Sequence, residues 1–182
     1  MIYHPHHQTI ETERLILRRF TQDDAKMVSH YCNNINLAKS TLALPFPYPI
    51  ESAIGWIQMH QGWFDEDIRY EFAITSKSSG TLIGAVGLGN NKVWHNGEIG
   101  YWIGEEHWGC GYATEAVKAV IEWAFKVKQF HRIYARHFES NPASGKVMIK
   151  AGMTYEGRQI DHIMKNDHYE HVILYGIIRQ ES

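Results

Sequence analysis

The chain has 182 residues, 44% of them hydrophobic and 13% aromatic, with a formal net charge of −2. That length and apolar content suit one domain, residues 1–182, with a sizeable core, and they exclude a disordered chain. Charge is balanced, with no run of lysine or arginine, which disfavours a direct nucleic-acid partner or an anionic membrane surface, and no window approaches the length of a membrane span.

The opening Met1-Ile-Tyr-His-Pro-His-His7 lacks the basic start and apolar stretch of a secretory signal, so a cytoplasmic location is expected and residues 1–10 are expected to form a mobile tail. Cys32 and Cys110 make no disulfide framework, which agrees with a reducing compartment. Three of the twelve histidines, His4, His6 and His7, fall in that tail, and the others show no metal-ligand spacing; no metal is expected. Residues 14–20 alternate Leu15, Leu17 and Arg19 against Ile16, Arg18 and Phe20, as a strand near a sheet edge would. Thr21-Gln-Asp-Asp24 supplies a helix cap and acidic first turn, opening a helix to about residue 31. Three prolines make Leu44-Pro-Phe-Pro-Tyr-Pro-Ile50 a rigid loop, and a helix carrying Trp56 and Trp63 follows over 51–64.

Two strands are expected at 69–75 and 81–89, joined by Ser76-Lys-Ser-Ser-Gly80. Gly84, Gly87 and Gly89 weaken the second and point to bulges or close backbone approach. A strand over 98–103 then runs into Gly109-Cys-Gly-Tyr-Ala-Thr114, which opens an amphipathic helix with Ala116, Val117, Val120, Ile121 and Ala124 on one side and Glu115, Lys118, Glu122 and Lys126 on the other. A strand over 132–138 precedes a helix that starts at Asn141-Pro142 and ends at Gly152. Strands over 154–164 and 168–178 close the chain as a hairpin around Lys165-Asn-Asp167.

The glycine turn before the amphipathic helix is the strongest functional signal. Free N–H groups at a helix start, with the positive end of its dipole behind them, bind phosphate without a basic side chain. Gly109 and Gly111 admit close approach of the ligand, and Ala113 keeps the first turn open. The spacing is not that of other phosphate loops: the third glycine of a Rossmann turn is missing, and Tyr112-Ala113 follow Gly111 where a P-loop requires Lys and Ser or Thr. Glu98, a carboxylate on a strand otherwise made of Ile, Gly, Tyr and Trp, is either a general base reaching a cleft or an exposed strand-end glutamate.

Taken in order, Thr12-Glu-Arg-Leu-Ile-Leu-Arg-Arg-Phe20, Gly84-Ala-Val-Gly87, Glu98-Ile-Gly-Tyr-Trp102, Gly109-Cys-Gly-Tyr-Ala-Thr-Glu-Ala116, Asn141-Pro-Ala-Ser144 and Lys150-Ala-Gly-Met-Thr-Tyr-Glu-Gly157 resemble the GNAT acyltransferase superfamily, and within it the RimJ/RimL-like branch of ribosomal-protein N-terminal acetyltransferases. The resemblance implies an α/β (α+β) GNAT fold: a mixed, mostly antiparallel central sheet, splayed in the middle and flanked by helices. It also implies direct transfer of an acetyl group from acetyl-CoA to a primary amine, most often a protein N-terminus, by a monomer or homodimer. A polyamine or aminoglycoside acceptor, or a CoA-binding sensor without catalysis, are the alternatives. By the same resemblance the loop residues Gly109, Cys110, Gly111, Tyr112, Ala113 and Thr114 hold the pyrophosphate with Trp108 as a candidate cofactor contact beside them, Tyr101, Trp102 and Ile103 lie along the pantetheine arm, Asn141 contacts CoA and Ser144 protonates the departing thiolate. An unpaired main-chain N–H at a bulge in 101–103 would hold the oxyanion. Two departures from the wider superfamily are visible. Trp108 stands where glutamine or arginine is common and either contacts CoA or packs under the loop, and Met148 replaces a frequent tyrosine.

Overall fold

The computed structural model describes residues 1–6 and 8–180. Its strands are β1 (Ile2–His4), β2 (Thr9–Glu11), β3 (Leu15–Arg18), β4 (Arg69–Ser76), β5 (Leu82–Gly89), β6 (Asn96–Ile103), β7 (Arg132–Phe138), β8 (Thr154–Lys165) and β9 (His168–Ile178). Its helices are α1 (Ala25–Cys32), α2 (Ile35–Ser40), α3 (Ile50–Asp65), α4 (Tyr112–Lys126) and α5 (Pro142–Lys150). The strands form one sheet in the order β1-β2-β3-β4-β5-β6-β7-β9-β8. Every pairing is antiparallel except β6 with β7.

That one parallel pairing sets up the site. β6 matches β5 from Ile99 to Ile103, yet it matches β7 only over Asn96, Gly97 and Glu98. Beyond Glu98 the two central strands part, which is the splayed sheet implied by the resemblance.

Period-two alternation sorts the strands' side chains between two cores. Tyr70, Phe72 and Ile74 of β4 join Leu15, Leu17, Val86, Leu88 and Ile99 against Ala116, Val117, Val120 and Trp123 of α4. Trp123 is fully buried, with the rings of Tyr70 and Phe72 edge-on to it at 5.0 and 5.3 Å. On the opposite face Ala73, Leu82 and Ala85 meet Val28, Tyr31, Leu37, Ala53 and Ile57 of α1, α2 and α3. Burying Trp123 removes roughly 150–250 Å² from water, enough to anchor α4 and the turn that precedes it.

Three expectations are corrected. Residues 1–10 do not form a tail among the described positions: β1 pairs with β2 and β2 with β3, Ile10 is fully buried, and the Met1 amino group lies 3.4 Å from Glu122. A three-residue strand with a single buried side chain leaves too short a pattern to read; His7 lies outside the described residues. Those two strands also place β3 third from the edge. The bulge expected in 101–103 is absent, since β5 and β6 keep continuous register, and the break falls instead between Ile74 and Thr75 where β4 meets β5. Helix α2 was not foreseen. At six residues it has no readable period, and it is held at its start by Asn34, whose side chain accepts the N–H groups of Asn36 and Leu37. Among the described residues no helix is long and apolar enough to cross a membrane.

Candidate active site

The glycine turn folds as the sequence suggests. Gly109 and Gly111 have φ of +78° and +81°, in the left-handed region that side chains avoid. Gly111 caps α4 without a side-chain partner, and the first helical bond is Glu115 N–H to Gly111 O at 3.1 Å. The N–H groups of residues 109–114 find no acceptor among the described residues. Six consecutive unpaired donors at a helix N-terminus suit a diphosphate.

One side chain here escaped the sequence reading. Arg14, just ahead of β3, donates from Nη1 to the Cys110 carbonyl (3.0 Å) and from Nε to Glu115 (2.7 Å), and its guanidinium lies 4.8 Å from the centre of the Tyr112 ring. It braces the turn and brings a positive charge beside it. No local pattern could find it, because 96 residues separate it from Cys110.

The free strand edge lies next to this turn. Gly104 N–H bonds Ile83 O across β5 and β6 at 2.9 Å. By the alternation of an antiparallel ladder, Trp102 and Gly100 also face β5, so Ile99, Tyr101 and Ile103 turn their main-chain groups into the gap. Splaying, rather than a bulge, frees these groups. The Trp108 indole N–H takes the Ile103 carbonyl at 2.7 Å, so Trp108 packs against the strand end and has only its ring to offer a ligand. Cys110 is exposed at the turn, with Sγ 3.7 Å from the Trp108 carbonyl.

Tyr101 and Ser144 meet on one wall of the cleft, with hydroxyl oxygens 2.8 Å apart, and the Tyr101 hydroxyl also donates to the Ser144 carbonyl at 3.0 Å. Burial pushes the Tyr101 phenol up to about 12. Asn141 is occupied locally: its Oδ1 accepts the Ser144 N–H (3.3 Å) and its Nδ2 donates to the Ser40 carbonyl (2.9 Å). Its main work here is to cap α5 and tie it to the end of α2.

Trp102 points to the opposite face of β6, into a cavity of about 1450 Å³ that runs from the turn to the β8–β9 hairpin. Tyr48, Trp56 and Trp102 line it, as do Leu44 and Pro45 of the proline-rich loop. Lys165 from the hairpin reaches over to donate to the Leu44 carbonyl at 2.9 Å.

Glu98 does not stand free in this cavity. Arg136 of β7 grips both of its oxygens, Nε to Oε1 at 2.8 Å and Nη2 to Oε2 at 3.1 Å. Both oxygens are engaged by the guanidinium, so neither is free to meet an incoming amine. The pair instead joins β6 to β7 at the last residue before they part.

The sequence reading missed a second carboxylate. Glu71 of β4 is buried beside Arg69, whose Nε donates to its Oε1. Burial raises its carboxyl above the ordinary range and Arg69 opposes the rise. A glutamate between Tyr70 and Phe72, in a strand buried on both faces, was the available signal. No group of three or more His, Cys, Asp or Glu among the described residues could hold a metal ion.

The arrangement is a turn of unpaired N–H groups, an open strand edge and a roomy aromatic cavity meeting at one gap. Residues 14–154 match the Acetyltransferase (GNAT) domain family. The chain belongs to that family. It is 30% identical over 171 residues to the uncharacterized N-acetyltransferase YoaA of Bacillus subtilis, covering 93% of this chain and 96% of that one. It is 23% identical over 160 residues to the spermidine N(1)-acetyltransferase of Vibrio cholerae, covering 87% and 90%. The solved ribosomal-protein-S5-alanine acetyltransferase of Vibrio fischeri superposes with a TM-score of 0.83 at 26% identity, covering 93% and 96%. Solved structures with this GNAT fold include complexes with CoA and with acetyl-CoA. The chain is therefore an N-acetyltransferase of the GNAT type.

Proposed function

We propose that this enzyme transfers an acetyl group from acetyl-CoA directly to the α-amine of a protein or peptide N-terminus, as in the RimJ/RimL-like branch. One observation carries the choice of acceptor. The charges lining the cavity balance: Lys39, Arg69, Arg136 and Lys165 stand against Glu71, Glu98, Glu105 and Glu170, and Glu71 and Glu98 each have an arginine. A polycation needs surplus negative charge, and this cavity has none to give. An α-amine also asks less of the site, costing about 1.4 kcal/mol to deprotonate at pH 7 against roughly 4.6 for a lysine amine.

In this reading the N–H groups of residues 109–114 hold the diphosphate and the main-chain groups of Tyr101 and Ile103 run along the pantetheine arm. The amine enters from the Trp56 and Trp102 side and attacks the thioester carbonyl. A C–N bond forms, the C–S bond breaks, and a gap-facing N–H of β6 stabilises the oxyanion. Ser144, held by Tyr101, supplies the proton to the thiolate.

A small-molecule acceptor is the second reading, favoured by the resemblance to the spermidine enzyme. Thiol release from acetyl-CoA, measured on alanine- and serine-starting peptides, spermidine and an aminoglycoside, decides between them. Turnover on the peptides is expected. Turnover confined to spermidine or the aminoglycoside overturns the acceptor class. CoA binding with no turnover on any of them turns the reading toward a sensor, and absence of CoA binding by calorimetry removes the donor.

A further inference from the structure

Glu71, Gly87 and Gly100 stand opposite one another across β4, β5 and β6, on the face that lines the cavity. The first two interlock. A Cβ on Gly87 would collide with both Glu71 carboxylate oxygens, so the carboxylate lies flat over that glycine. Gly100 differs, because a Cβ there would meet nothing within 4 Å. The row thus holds a buried carboxylate, then an empty space one strand further on, then the gap between β6 and β7.

We propose that the space over Gly100 seats the acceptor's amine and that Glu71 is the catalytic residue that takes its proton. Neighbouring strands lie about 4.8 Å apart, so an amine over Gly100 is within reach of the carboxylate directly or through one water, with the thioester on its other side. Glu71 Oε1 is held by Arg69, and Oε2 has no hydrogen-bond partner among the described residues. Arg69 on its own strand is the charged group beside it, and the Glu98–Arg136 pair from β6 and β7 lines the same cavity; from α3, His60 is packed on Trp56 and held neutral by burial. Tyr48 of the proline-rich loop faces the same cavity. The neighbouring guanidinium keeps the carboxylate available as a base, while burial makes it more basic than a surface glutamate. Glu71 takes the proton that the nitrogen sheds as the C–N bond forms; the thiolate takes one from Ser144, and solvent restores both groups.

The inference rests on amine acetylation and holds for either acceptor class. Two experiments test it, and one of them needs no acceptor. In protein labelled with ¹³C at the glutamate carboxyls and saturated with CoA, the resonance missing from Glu71→Gln is expected to titrate above the ordinary carboxylate range. Titration within that range overturns the proposal even where every acceptor assay is blank. With an alanine-starting tetrapeptide, or with spermidine where that is the amine turned over, Glu71→Gln should lower kcat/KM by about 10²–10⁴ and flatten the rising limb of its pH profile. CoA affinity, read by calorimetry, should stay within about twofold of the parent, which separates lost chemistry from lost folding. Gly100→Val should raise the acceptor KM about tenfold or more, again with unchanged CoA affinity, through steric loss of the amine seat. A Glu71→Gln enzyme within about threefold of the parent that keeps its pH limb would falsify the base role.

Discussion

The two sides of the cleft are built from different materials. The side proposed for the donor is backbone: N–H groups of the Gly109–Thr114 turn and the open edge of β6, with glycines where the chain must turn left-handed. The side proposed for the acceptor is side chain: Glu71, Glu98, Arg69, Arg136, Trp56 and Trp102, brought together from four elements. A backbone site binds what every acyl-CoA shares, while a side-chain site can be altered residue by residue. One fold can therefore keep its donor and change its acceptor, in line with relatives that acetylate spermidine or a ribosomal protein.

The largest expected effect lies under the acceptor wall. His60 of α3 is buried between Trp56, Trp63 and Phe20, with both ring nitrogens unpartnered among the described residues. Burial lowers its pKa to about 4. Between that value and the unfolded value near 6.5 the unfolded chain binds more protons, so stability is fully present above pH 6.5 and is lost as pH falls. Urea unfolding should show a loss of about 3 kcal/mol from pH 7 to pH 4 attributable to this group, missing in His60→Leu. Equal pH dependence in the two proteins would remove His60 as the acid-labile support of the acceptor side.

Next comes a change that should strike the donor side alone. Gly111→Val forces a β-branched residue to φ near +81° at the start of α4, a strain of about 2 kcal/mol, and misplaces the N–H groups behind it. Calorimetry should show CoA affinity falling tenfold or more, while the acceptor KM at saturating acetyl-CoA holds. Gly100→Val should give the mirror result. Were both substitutions to damage both substrates equally, the division between the two sides would fail.

The same division explains what could be read from the sequence. The turn was legible because a helix start, two glycines and the following apolar period are contiguous. So were β7 and the start of α5, with Asn141 ahead of Pro142. Nothing local could report that β6 leaves β7 after Glu98, since the gap is a property of two strands 30-odd positions apart in the chain. Hence the open edge was ascribed to a bulge. Glu98 drew attention as a lone carboxylate, but its partner Arg136 is 38 residues away, and Glu71 gained meaning only when Gly87 was placed beneath it. Pairing decides whether a carboxylate is a base or a brace, and pairing is long-range.

Tyr101 sits where the two sides touch, and a modest loss is expected from it. Phenylalanine keeps the ring and removes only the hydroxyl that meets Ser144, so Tyr101→Phe should fold normally and bind CoA as before. If the hydroxyl pair serves the departing thiolate, kcat should drop about tenfold, or about 1.4 kcal/mol, without a matching rise in either KM. An unchanged kcat would leave the tyrosine as packing.

The smallest effect tests whether the donor side is backbone alone. Among the described residues Arg14 is the one cationic side chain bracing the turn, through the Cys110 carbonyl and Glu115, and its side chain is 46% exposed. A purely backbone cradle would lose only this brace in Arg14→Ala, and CoA affinity would fall equally at all salt concentrations. If the guanidinium also adds its charge to the phosphate field, the loss should be about threefold at physiological salt and larger in dilute buffer, because screening at 0.15 M acts over about 8 Å. Arg14→Lys separates the two contributions: it keeps the charge but loses the fork that holds Cys110 and Glu115 together. Recovery of the salt dependence in the lysine variant, without full recovery of affinity, would assign the charge to the ligand and the fork to the turn.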